Sequence, residues 1–194
     1  MSDNMLIVTI DKASDAAATL TFGEQQYHCV IGKAGAKSAE DKQEGDNATP
    51  LGTYHIIRGF YRADRLEKPI TKGLDLLPVS QDMGWEDNPN SECYNQWVKS
   101  GYSTALDESF WREDELYNII LVLDHNGAWP YETERPKGVN TTAGKGSAIF
   151  MHVMKLDEYN KPKPTAGCVA LQQSDLLQVL AQLKENHPIH IKMC

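Results

Sequence analysis

The chain has 194 residues, 41% of them hydrophobic and 24% charged, with a formal net charge of −8. That length allows one domain with a sizeable core and is short for two, and the composition is that of an ordinary globular protein. The acidic balance, without any lysine- or arginine-rich tract, argues against capture by nucleic acid or an anionic membrane surface and suits a cytosolic protein.

The N-terminal stretch MSDNMLIVTIDKAS has no basic n-region, and its apolar run Met5-Leu6-Ile7-Val8 is cut by Thr9 and Asp11. That is too short for a signal h-region or a membrane span. The expectation is a cytoplasmic chain, or a periplasmic one if the natural start lies upstream. Cys29, Cys93, Cys168 and Cys194 lack CxxC spacing and read as free thiols in a reducing compartment.

In chain order, Met5 to Ile10, Ala18 to Phe22 and Tyr27 to Ile31 read as strands from their β-branched content and alternation. Gly32 to Asn47 is a long polar loop, and Thr49-Pro50-Leu51-Gly52 a turn. Thr53 to Phe60 is a strand with His55 and Arg58 on opposite faces. Periodicity fades from Tyr61 to Glu115, where Trp85, Cys93, Tyr94, Trp97, Tyr102 and Trp111 lie among polar residues. Asp107 to Leu116 has the makings of a short helix. Aromatics beside Asp, Asn and Ser can stack on sugar rings and bond a peptide, or simply fix an insertion onto the sheets.

Tyr117 to Asp124 (YNIILVLD) is a central strand ending in the turn His125-Asn126-Gly127, where His125 reads as an exposed turn histidine. Gly138 to Gly146 is a flexible approach to the next strand. Leu176, Leu177, Val179, Leu180 and Leu183 have helical spacing, with Ser174 or Asp175 as cap. His187-Pro188 breaks that helix before a closing strand, Ile189 to Lys192. The pattern predicts a mainly β domain over residues 1–194, with one C-terminal helix and an aperiodic, partly helical stretch at about 61–116.

Chemistry concentrates between Ser147 and Leu171. An apolar run, Ala148-Ile149-Phe150-Met151, ends on His152, and Cys168 follows sixteen positions later in the turn Thr165-Ala166-Gly167-Cys168. A thiol needs a neighbouring imidazole to become a nucleophile at neutral pH, and Gly167 lets the backbone approach a carbonyl. The alternative makes His152 a satisfied strand-end residue and Cys168 a small buried hydrophobe. No pair among Cys93, His125, His152 and Cys168 has ligand spacing for a metal and no GxSxG is present, so neither a metal nor another cofactor is expected.

The stretch from His152 to Cys168-Val169-Ala170-Leu171, with the upstream block Glu44 to Tyr54 containing Thr49-Pro50-Leu51-Gly52, resembles the YkuD-type L,D-transpeptidase family. The resemblance implies a β-sandwich of two mixed sheets, with about 61–116 as an insertion. It also implies Cys168 as nucleophile, His152 as proton donor and acceptor, and the Gly167 and Cys168 amides as oxyanion hole. It implies a murein tetrapeptide or muropeptide as substrate, with Thr49, Pro50, Gly52, Thr165, Trp85 and Tyr94 as candidate contacts. Three positions depart from the family pattern: Ala166 replaces a histidine, Ala170 an arginine, and Val153 a glycine or serine. Arg58, Arg112 and Lys145 are candidate replacement cations. A cytoplasmic member surrounded by water is expected to be an L,D-carboxypeptidase of murein recycling. The alternatives are a wall transpeptidase and an inactive peptide-binding module.

Overall fold

The computed structural model describes residues 5–12, 15–99, 108–130 and 140–194. Among these, β1 (Leu6–Ile10), β2 (Ala17–Phe22), β3 (Gln25–Val30) and β4 (Ala36–Ser38) are followed by a 13-residue strand, β5 (Thr49–Tyr61). After β6 (Leu76–Pro78) come the shorter β7 (Met83–Glu86), β8 (Gln96–Lys99) and β9 (Glu108–Ser109). The rest comprises β10 (Ile119–Leu123), β11 (Trp129–Pro130), β12 (Phe150–Val153), β13 (Val169–Leu171), the helix α1 (Gln173–Leu180) and β14 (His187–Met193).

The expected sandwich is instead a closed, barrel-like sheet. Its order is β10-β12-β13-β3-β2-β1-β14-β5, and β5 pairs back onto β10. Closure follows from the length of β5. Gly52 to Ile56 pair with β14, and Ile56 to Tyr61 pair with β10, so one strand serves both neighbours. The turn expected at Thr49 to Gly52 is therefore the start of this strand. Gly52 still needs to be glycine: its φ is +148°, and a Cβ there would sit 2.9 Å from the Tyr54 hydroxyl.

Leu6, Val8, Leu20, Ile56, Leu121, Met151, Val169, Leu171, Ile189 and Ile191 fill the core within this sheet. The helix adds Leu176, Val179, Leu180 and, just past its end, Leu183 to the same cluster, at the expected spacing. It begins earlier than expected, with Gln172 as N-cap, so Asp175 acts within the first turn, where a carboxylate suits the helix dipole. Pro188 does not precede the last strand but lies inside β14, which starts at His187. A proline is tolerated so near a strand's start.

A second sheet, β11-β8-β7-β9, covers the outside of the barrel. It is drawn from the predicted insertion together with Trp129 and Pro130, and the helix expected from Asp107 is absent among the described residues: Glu108 and Ser109 are strand, and Leu116–Asn118 a single 3₁₀ turn. Asp107, Tyr102 and Gly138 lie outside the described residues. The sheet's aromatic underside explains where the aperiodic apolar residues go. Trp85, Trp97, Phe110 and Met83 pack on Phe60, Ile120, Val122 and Phe150, with Trp85–Phe150 and Phe60–Trp97 ring centroids each 5.1 Å apart. Strand β10 is thus buried on both faces, which accounts for its unbroken apolar run.

Candidate active site

Strand alternation places the two candidate catalytic side chains. Along β12, Met151 and Val153 belong to the barrel core, while Phe150 faces the covering sheet, and His152 shares its face. Parallel pairing sets His152 opposite Ala170, two residues after Cys168, so thiol and imidazole emerge on the same outer side of neighbouring strands. Both line a cleft of about 420 Å³ together with Tyr117, Glu44, Ser147 and Thr165. The charged, proline-containing excursion between them folds back as a small hairpin, Leu156 bridging Pro162, and brings Lys155 and Lys163 to the rim.

His152 is oriented by the backbone. Its Nδ1 lies 2.8 Å from the Val153 carbonyl oxygen, which can only accept, so Nδ1 carries the proton and Nε2 keeps its lone pair. Burial pushes the imidazole down to about 4, against the hydrogen bond to Val153. The Tyr117 ring stands edge-on to it at 5.6 Å and donates its own hydroxyl to Glu108 Oε1 at 2.6 Å. A neutral base with one free nitrogen results.

The Cys168 thiol donates to the Ala148 carbonyl oxygen at 3.2 Å and accepts from the Phe150 N–H at 3.4 Å. Burial pushes it up to about 12, so it rests as a thiol and not as the thiolate that a neighbouring imidazole was expected to create. The turn is pinned from the TPxG-like block. Buried Thr49 accepts from Gly32 N–H at 2.9 Å and donates to the Gly167 carbonyl at 2.8 Å. Gly167, at φ +149°, has the Ala48 carbonyl where a Cβ would come within 3.1 Å.

Several candidate contacts have other tasks here. Thr165 Oγ1 accepts from Gly167 N–H at 3.1 Å and donates to the Cys168 carbonyl at 2.7 Å, so the Gly167 amide is already engaged and is not a free oxyanion donor. Thr49, Pro50 and Gly52 shape the turn's support and do not line the cleft. Trp85 is 1% exposed, sealed in the aromatic layer, and cannot stack on a ligand. Tyr94 is buried too and donates to Glu44 Oε2 at 2.5 Å, an oxygen that also accepts from Ser147 at 2.7 Å.

His125 is buried, not exposed as its turn suggested, and gives its Nε2 proton to the Lys145 carbonyl at 3.0 Å. The expected replacement cations are committed elsewhere: Arg58 to Asp75, Arg112 to Asp114, and Lys145 to the Glu40 carbonyl. Lys155 and Lys163 are the lysines that the excursion brings to the cleft, with buried Lys42 held by Asp46 at 2.7 Å. Tyr117, Glu108, Glu44 and Ser147 went unremarked as site residues in the sequence. Only Tyr117, heading the most strand-like run one strand from His152, carried a positional signal.

A search of curated proteins gives no match. Among solved structures the chain is similar to Mycobacterium tuberculosis L,D-transpeptidase 1, at 11% identity over 98% of this chain and 62% of that one, with a TM-score of 0.33. The chain thus spans under two thirds of that protein's length. Residues 6–191 match the family model of the YkuD L,D-transpeptidase catalytic domain, nearly the whole barrel and its cover. The match runs over nearly the whole chain, and the chain belongs to the YkuD family of L,D-transpeptidase catalytic domains.

Proposed function

We propose that this chain cleaves the L,D bond before the terminal D-alanine of peptidoglycan stem tetrapeptides, with water as the usual acceptor: an L,D-carboxypeptidase of murein recycling. The observation that carries this reading is the shared outward face of Cys168 and a His152 whose Nε2 is free to accept a proton. Because both groups rest neutral, proton transfer accompanies attack. The thiol proton moves to His152 Nε2 as sulfur bonds to the scissile carbonyl carbon, and the Cys168 N–H is the donor assigned to the developing oxyanion in this reading. His152 then protonates the departing D-alanine amine. Water, deprotonated by the same nitrogen, opens the thioester and releases tripeptide carboxylate and free thiol.

Support for water comes from the turn itself. Ala166 and Ala170 stand where the family pattern has a histidine and an arginine, and water needs neither, whereas a second peptide strand loses two polar contacts. A cytoplasmic setting, rich in soluble turnover peptides, goes with this reading.

The test is mass spectrometry of the protein with a murein tetrapeptide, with and without excess D-methionine, beside Cys168→Ala. Tripeptide and free D-alanine, indifferent to D-methionine and absent with the variant, is the expected result. A product carrying D-methionine would instead show transpeptidase exchange. No turnover would leave a peptide-binding module.

A further inference from the structure

The thiol's resting position is set from outside the barrel. Ala148, whose carbonyl receives the Cys168 proton, has a φ of +51°, a left-handed conformation that a residue with a Cβ adopts only when its surroundings impose it. Its N–H is held at 3.2 Å by Oδ1 of Asn95, which lies just before β8 in the covering sheet.

Asn95 is itself fixed from every side. Oδ1 also accepts from Trp85 Nε1 at 3.0 Å, and Nδ2 donates to the carbonyls of His125 and Asn126, both at 3.0 Å. Two acceptances and two donations fill the side-chain amide's capacity. A flipped amide would set its NH₂ against two N–H donors and its oxygen against two carbonyls, so one orientation is forced. The residue is 1% exposed, and its φ of +59° suits asparagine, which tolerates this conformation.

We propose that Asn95 is a positioning residue for the cysteine: through Ala148 it keeps the Cys168 S–H directed at a backbone carbonyl instead of at His152 until substrate binding releases it. The inference rests on Cys168 being the nucleophile. Asn95 touches no reacting atom. Its effect runs through the Ala148 backbone, because the bond to Ala148 N–H helps hold the residue's left-handed conformation and so sets where its own carbonyl points. Release means that the S–H turns from the Ala148 oxygen to His152 Nε2, which takes the proton as sulfur attacks.

Asn95→Gly tests this, since glycine keeps the left-handed backbone and removes only the amide. The rate of Cys168 alkylation by iodoacetamide, followed by peptide mass spectrometry against pH, should rise roughly three- to ten-fold at neutral pH, the worth of one lost hydrogen bond to the neutral thiol. The profile should also move to lower pH. A rate equal to or below wild type would overturn the inference. Tetrapeptide turnover by the wild type is measured alongside. Turnover with unaltered alkylation in the variant would sink the inference and leave the proposed activity standing, and no turnover with faster alkylation would do the reverse. Should the variant not fold, the wild-type S–H infrared band, isolated by difference against Cys168→Ser, decides. A band lowered by hydrogen bonding supports the latch, and one matching the exposed Cys194 refutes it.

Discussion

Thr49→Val is the most informative single perturbation of the cysteine turn. Valine has nearly the shape of threonine, so the change deletes one oxygen from a fully buried site and little else. That oxygen serves two backbone groups, accepting from Gly32 N–H and donating to the Gly167 carbonyl. Each is left without a partner at a cost of about 1–3 kcal/mol, so stability should fall by roughly 2–4 kcal/mol if the chain relaxes in part. For a domain of this size that is about 5–15 °C in Tm. Urea unfolding of Thr49→Val, with Thr49→Ser as the control that keeps both bonds, measures it. The Gly167 carbonyl borders Cys168, so tetrapeptide turnover should fall by more than the folded fraction explains. A valine variant within 0.5 kcal/mol of wild type and fully active would refute the assignment of Thr49 as the turn's anchor.

Other outcomes follow from the same geometry. Gly167→Ala places a Cβ 3.1 Å from the Ala48 carbonyl at φ +149°, and should cost about 1–3 kcal/mol in unfolding experiments together with most of the turnover. Wild-type Cys168 alkylation should climb with pH through pH 10 without a plateau, because burial holds the thiol at about 12; a plateau near pH 8 would contradict the neutral pair. Stability should fall on acidification. His152 is depressed to about 4 and His187 is lowered, both chiefly by burial, so the unfolded chain binds more protons once pH drops below its ordinary histidine value of about 6.5. His187 is wholly buried with both ring nitrogens unpartnered and its ring edge-on to Phe22 at 5.3 Å. His187→Phe should therefore stabilise the protein by about 1–2 kcal/mol at neutral pH and flatten the loss between pH 7 and 5. A wild-type urea midpoint that does not change across that range would count against it.

What could be read from the sequence follows the range of the forces involved. The strands expected at Met5 to Ile10 and Tyr117 to Asp124 and the helical spacing of Leu176 to Leu183 are local patterns; the fold has the strands at Leu6–Ile10 and Ile119–Leu123, with Tyr117 and Asn118 drawn into a 3₁₀ turn instead. Closure of the barrel was not legible, because it depends on β5 being shared end to end by two partners that lie 58 and more residues away. Trp85 and Tyr94 read as ligand contacts because their polar neighbours suggested a wet surface; their N–H and O–H are in fact satisfied by Asn95 and Glu44, reached only through the tertiary fold. Spacing brought His152 and Cys168 together correctly in chain order. It carried no information about the Ala148 carbonyl, a backbone group with no sequence signature, which holds the thiol's proton.

The closed barrel has a consequence for how such a protein can change over generations. His152 and Cys168 keep their mutual register through β12 and β13, whose ladder is completed by β3 and β10 without help from the second sheet. Residues between β6 and β10 other than Asn95 can therefore be exchanged while the backbone register of His152 and Cys168 is kept. Selectivity is free to drift over a conserved chemistry, and Asn95 is the joint at which a new cover would first be felt.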